Sequence, residues 1–209
     1  MYFYAPQKAR GFTLIELLVV VAIIAILTSI ITVSFGAAKK KSRDSKRAAD
    51  IKSIQLALSL YYSDNLFYPK NIYASSNTIS GSDPANGLAP TYLPVVPKDP
   101  NANTTDTCNG TGANGLASCY HYNAYVVSGL CSVSNVPVIY HLGASFEDTT
   151  NSVLNQDSDA APALNPPFST TYVACNNGTS PSGTFDGNAA DCAISVGAAA
   201  TDNCYDLTP

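Results

Sequence analysis

Charge is scarce in this chain of 209 residues: Asp, Glu, Lys and Arg make up 12% of it, about half the ~25% usual for a globular domain. Basic residues are missing altogether beyond Lys98, where Asp99 opens a stretch with ten acidic side chains and no Lys or Arg. Such a distal half has no electrostatic means of gripping phosphate, which argues against nucleic acid as a partner. No G-x-S-x-G, P-loop, H-E-x-x-H or G-x-G-x-x-G run is present, so no motif points to an enzyme. Proline is absent from residue 12 to residue 68, and nothing in that span forbids one continuous helix. None of the six cysteines forms a C-x-x-C pair.

Against that background one stretch stands out. Gly11–Phe35, GFTLIELLVVVAIIAILTSIITVSF, holds a single charged side chain, Glu16. As a helix it rises roughly 36 Å, enough to cross the hydrocarbon core of a bilayer with some tilt. A carboxylate there costs about 2.5–3.5 kcal/mol by insertion scales, so Glu16 asks for a partner. Past Gly36 the helical pattern continues. Ala48, Ile51, Ile54, Leu58, Tyr61 and Tyr62 recur at spacings of three and four, while Lys46, Arg47, Asp50, Lys52 and Gln55 are expected on the opposite face. Asn65 and Pro69 supply the stop, giving a helix roughly 80 Å long whose second half needs a globular partner.

Cys108, Cys119, Cys131, Cys175, Cys192 and Cys204 all follow the apolar stretch. An even count in a Tyr-, Ser-, Thr- and Asn-rich region reads as three disulfides formed outside the cytoplasm, with buried thiols as the alternative. Many pairings are open, and short separations favour Cys108–Cys119 and Cys192–Cys204. Residues 66–118 are loop-like, rich in Pro, Gly, Asn, Ser and Thr. Strands are expected at Tyr120–Val127, Val136–Leu142 and Thr170–Cys175, the first two as a hairpin. The tail from Asn176 is expected to be loops held by disulfides. His121 and His141 read as hydrogen-bonded or core histidines rather than metal ligands.

The basic run Lys39, Lys40, Lys41, Arg43, Lys46 and Arg47 conflicts with the cysteines. Six positive charges follow the apolar segment and two precede it, which by the positive-inside rule would put the C-terminal side in the cytoplasm. As a solvated helix face the run needs no role; it could also meet anionic headgroups or acidic neighbours.

A short leader with Lys8 and Arg10 ending in Gly11, then Phe12 and Glu16, resembles the type IV prepilin family, which includes type IV pilins and type II secretion pseudopilins. Ala49–Pro69 and Tyr92–Pro100 (YLPVVPKDP) resemble the major pseudopilin, and so does the order of Tyr120, Tyr122 and His141–Ala144. The resemblance implies cleavage after Gly11 by a prepilin peptidase, methylation of Phe12, and assembly guided by Glu16. It implies a homo-oligomeric filament, built by a membrane platform and its motor from an inner-membrane precursor. It also implies an α+β fold: a long N-terminal helix, half membrane-spanning and half amphipathic, packed on a small antiparallel sheet with disulfide-stapled loops. The expected segments are a leader at 1–11, an assembly helix at 12–35, its amphipathic continuation at 36–65 and an extracytoplasmic domain at 66–209. Family members often bind calcium after the Leu-Gly-Ala, where this chain offers Glu147, Asp148, Asp157 and Asp159. Calcium takes about six to eight oxygen ligands. Six cysteines depart from the pseudopilin pattern and keep a different reading open, a secreted binding or adhesin module whose apolar segment is a cleaved signal.

Overall fold

The computed structural model describes residues 11–73, 87–102, 108, 119–127, 135–158, 172–174, 192 and 204–209, the side chains of 30–34 excepted. One α-helix, α1, runs unbroken over Leu14–Asn65, as the missing prolines and the three-and-four spacing predict. The chain divides into two compact units, Met1–Lys40 and Lys41–Pro209.

In the first unit the described side chains of α1 are exposed, among them Leu14 at 88% and Ile26 at 63%. Its hydroxyls turn back on the helix: Thr28 Oγ1 donates to Ile24 O at 2.7 Å and Ser29 Oγ to Ile26 O at 2.7 Å. Small polar residues satisfied in this way can sit in an otherwise apolar surface. Among the described residues no helix is long and apolar enough to cross a membrane; the apolar run of the sequence continues through residues 30–34.

In the second unit α1 packs on an antiparallel sheet of four strands. They are β1 (His121–Val127), β2 (Ile139–Ser145), β3 (Tyr172–Ala174) and β4 (Cys204–Leu207), in the order β3-β1-β2-β4. The register sets Ala124 against Tyr140 and Ala144 against Tyr205. With the two-residue period of a strand, one face presents Tyr122, Ala124, Tyr140, Leu142, Ala144, Tyr205 and Leu207. These form one core with Ile51, Ile54, Ala57, Leu58 and Tyr61 of α1. Each fully buried Ile or Leu contributes roughly 1.5–3 kcal/mol. Tyr68, Ile72, Leu88 and Val96, from the described parts of the loop after α1, join that core through their own side chains. Two of the buried tyrosine hydroxyls find acceptors, Tyr122 donating to Pro69 O at 2.6 Å and Tyr120 to Asp50 Oδ2 at 2.7 Å.

Several expectations need correction. β2 begins at Ile139, three residues later than expected, and extends to Ser145. The C-terminal tail contains β4, which extends the sheet along β2; four residues carry too little periodicity to signal a strand. Tyr62 is 38% exposed and stacks on Tyr68 with ring centroids 4.7 Å apart. Arg47, expected on the solvated face, is buried. The α+β architecture and the β1–β2 antiparallel pair are as expected, and so are the disulfides Cys108–Cys119 and Cys192–Cys204. The leader, Cys131, Cys175 and Asp159 lie outside the described residues.

Candidate functional site

The helix start carries the residues that the sequence singled out. Thr13 precedes the first helical residue, and three positions on stands Glu16. Glu16 Oε2 accepts from the Thr13 backbone N–H at 2.9 Å and from Thr13 Oγ1 at 2.7 Å, while Glu16 N–H donates to Thr13 Oγ1 at 3.3 Å. This is a capping box, which satisfies two of the donors that a helix N-terminus leaves open. The [ST]-x-x-[DE] signature before an apolar run was there to be read, as Thr-Leu-Ile-Glu, and sequence reasoning passed over it. Glu16 therefore has a local partner within its own chain. Phe12 is 85% exposed. Among the described residues beyond its chain neighbours, no atom lies within 4 Å of where a Cβ on Gly11 would stand, so packing among them does not demand glycine there.

A second constellation lies in the Lys41–Pro209 unit. Asp44, fully buried, accepts from Arg47 Nη1 at 2.6 Å, from the Glu147 N–H at 3.0 Å and from the Asp148 N–H at 2.9 Å. Arg47 also reaches Asp99 through two parallel hydrogen bonds, Nε to Oδ2 at 2.6 Å and Nη2 to Oδ1 at 3.0 Å. Glu147 Oε1 receives Arg43 Nε at 2.6 Å, Arg47 Nη1 at 2.9 Å and Asn101 Nδ2 at 3.0 Å, and Arg43 Nη2 bonds Glu147 Oε2. The cluster joins α1 to the Lys98-Asp99-Pro100 loop and to the turn after β2. The Arg43 guanidinium, with help from Arg47 and Asn101 and against burial, draws the Glu147 carboxyl down to about 2. Burial alone would lower Arg47, but the carboxylates of Asp99 and Asp44 outweigh it and raise its pKa. Counting back four and seven positions from Ile51 lands on Arg47 and Asp44, so the buried stripe itself ran through both. Their charge masked it.

Two of the four residues named for calcium, Glu147 and Asp148, are engaged elsewhere. Glu147 is held by two arginines, and Asp148 Oδ1 accepts from Thr150 N at 3.0 Å and Thr150 Oγ1 at 2.7 Å, closing a turn. Among the described residues no group of three acidic, His or Cys side chains is placed to hold a metal ion. His141, fully buried, lies 2.5 Å from Asp206 Oδ2 through Nε2 and joins β2 to β4 on the sheet face turned away from α1.

Of the six basic residues after the apolar segment, Arg43 and Arg47 are committed to internal carboxylates, whereas Lys39, Lys40, Lys41 and Lys46 are exposed.

Comparison with known proteins bears on the first constellation. Residues 6–32 match the family described as the prokaryotic N-terminal methylation motif. The chain is 38% identical over 60 residues to the type II secretion system core protein G of Escherichia coli strain K12, covering 29% of this chain and 41% of the relative. It is 35% identical over 63 residues to the protein of the same name from Pectobacterium carotovorum subsp. carotovorum, covering 30% and 40%. To that of Klebsiella michiganensis it is 40% identical over 58 residues, covering 28% and 41%. The chain spans about two fifths of the length of the curated relatives it matches. No solved structure matches it. The resemblance to pseudopilins and type IV pilin-like proteins is borne out by these matches.

Proposed function

We propose that this chain, with the N-terminal methylation motif of pilin-like proteins, is a structural subunit of a type IV pilus-like or type II secretion pseudopilus filament. Its precursor is held as a single-pass protein of the cytoplasmic membrane by residues 12–35, with the domain at 66–209 outside the cytoplasm. A prepilin peptidase removes residues 1–11 after Gly11, and Phe12 becomes the methylated N-terminus. Subunits then polymerise through their N-terminal helices on a membrane platform driven by a separate motor. The motif match across residues 6–32 favours this reading over a secreted binding module.

The observation that carries the proposal is the arrangement around Glu16. Within a single chain the carboxylate is kept by Thr13, whose hydrogen bonds offset part of the cost of holding it in lipid. Cleavage after Gly11 creates an amine at Phe12, next to the backbone N–H that Glu16 already accepts. A charged donor binds a carboxylate roughly twice as strongly as a neutral one. An amine from a neighbouring copy can therefore displace the local contacts and draw the incoming subunit into axial register. Gly11 fits the same reading, since none of the described residues beyond its chain neighbours crowds that position; the need for glycine then comes from the peptidase that must accept it.

Mass spectrometry and N-terminal sequencing of the mature protein test the proposal. A chain beginning at methylated Phe12 is the expected result. A chain beginning near Ala37 would overturn it in favour of the secreted module.

A further inference from the structure

Positive charge enters α1 all at once. Between Glu16 and Lys39 the helix carries no charged residue, and then Lys39, Lys40 and Lys41 follow one another, all exposed. Phe35, the last large apolar residue before them, is 67% exposed. The ion pairs among the described residues engage Arg43, Lys46 and Arg47 of this helix but none of these three lysines.

Depth is the first thing that narrows what they can meet. Lys39 stands about 6 Å and Lys41 about 9 Å beyond Phe35 along the helix axis. The headgroup layer of a bilayer is roughly 5–7 Å deep on each side of the hydrocarbon core. With residues 12–35 across that core, the three lysines emerge at the level of the phosphates, and their flexible stems take up the difference. Direction is the second. Successive residues leave a helix about 100° apart, so three in a row fan over roughly 200° of its circumference. A protein that docks on one side of a helix is met by residues three and four apart, which share a face. Consecutive lysines instead suit a partner that surrounds the helix, as a lipid surface does.

We propose that Lys39, Lys40 and Lys41 form a collar that binds the phosphate groups of anionic phospholipids in the leaflet at that end of the span. This rests on the reading of residues 12–35 as a membrane span and names the lipid class that the span selects. Each basic residue near an anionic surface strengthens association roughly fivefold. The collar also sets the depth of the helix. Lys39 lies roughly 35 Å from Glu16 along α1. Lysines held among the headgroups of one leaflet therefore leave Glu16 at the opposite boundary of the core, where a carboxylate costs least.

The chain contains no tryptophan, so Phe35→Trp places a single reporter beside the collar. The full chain carrying F35W is reconstituted into vesicles of phosphatidylcholine and phosphatidylglycerol, with one lipid or the other brominated along its acyl chains, and tryptophan quenching is read for each. Brominated phosphatidylglycerol is expected to quench as though enriched severalfold around the helix over its share of the bilayer. That enrichment should vanish in the K39Q/K40Q/K41Q variant and persist in the K39R/K40R/K41R variant. Equal quenching by the two lipids at equal share, enrichment that survives the glutamine changes, or enrichment lost on arginine replacement would each overturn the collar. The first of these would assign the lysines to acidic surfaces of neighbouring proteins instead. Quenching by neither lipid would show that residues 12–35 do not enter the bilayer, and the membrane reading would fall together with this inference; the other outcomes leave that reading standing.

Discussion

Asp44 and Glu147, 103 positions apart in sequence, meet directly: the Glu147 backbone N–H donates to Asp44 Oδ1 at 3.0 Å, and Arg47 bridges their side chains. Directional bonds thereby tie the helix to the turn after β2, in addition to the apolar packing on the sheet.

Arg47 is the member whose loss costs most, because it faces Asp44, Asp99 and Glu147 at once. Removing one partner of a buried ionic group strands the others. Arg47→Ala is expected to destabilise the Lys41–Pro209 unit by about 3–5 kcal/mol. Thermal unfolding of the detergent-solubilised full chain measures this; a melting temperature unchanged from the parent would contradict it.

Glu147 gives the cluster a pH dependence with a defined sign. Its carboxyl is drawn from 4.5 to about 2 in the folded chain. A depressed carboxyl adds stability above its unfolded value, and that stability is lost as pH falls through the folded value. The contribution is on the order of 3 kcal/mol, present at neutral pH and lost between about pH 4.5 and pH 2. Glu147→Gln should lower stability at pH 7 and flatten the loss across that window. Parallel curves for parent and variant would show that the pairing carries no net energy.

Glu16 has two separable duties, capping its own helix and pairing with a charged amine. Glu16→Gln keeps an oxygen acceptor three residues after Thr13 and removes the charge, whereas Glu16→Ala removes both. Under the proposed function both variants are processed after Gly11 and both assemble poorly. Filament yield from E16Q equal to the parent, seen by electron microscopy of sheared cells, would reduce Glu16 to a capping residue.

Leu66 ends α1 with φ at 64° and its side chain 74% exposed, while its N–H bonds Tyr62 O at 2.8 Å. A leucine in the left-handed region is strained by roughly 1–2 kcal/mol, and glycine adopts that conformation freely. Leu66→Gly is expected to stabilise the unit by about 0.5–1 kcal/mol once glycine's greater unfolded-state entropy is counted. A lower melting temperature for the variant would show that Leu66 makes a contact worth more than the strain.

The sequence by itself determined α1 and the order of residues at its start. Helical spacing, the absence of proline and the Gly11–Phe12–Glu16 order are local properties, legible because neighbours in sequence are neighbours on a helix. The tyrosine- and valine-rich strands β1 and β3 were legible for the same reason. Tertiary structure alone decided that Arg47 and Asp44 are interior, that Asp206 answers His141 across two strands, and that Cys204–Leu207 forms a sheet edge. A helical pattern shows which side chains share a stripe, but whether a charge on that stripe is buried depends on its partners. For Arg47 these arrive from positions 99 and 147, brought into reach only when loop and sheet close over the helix.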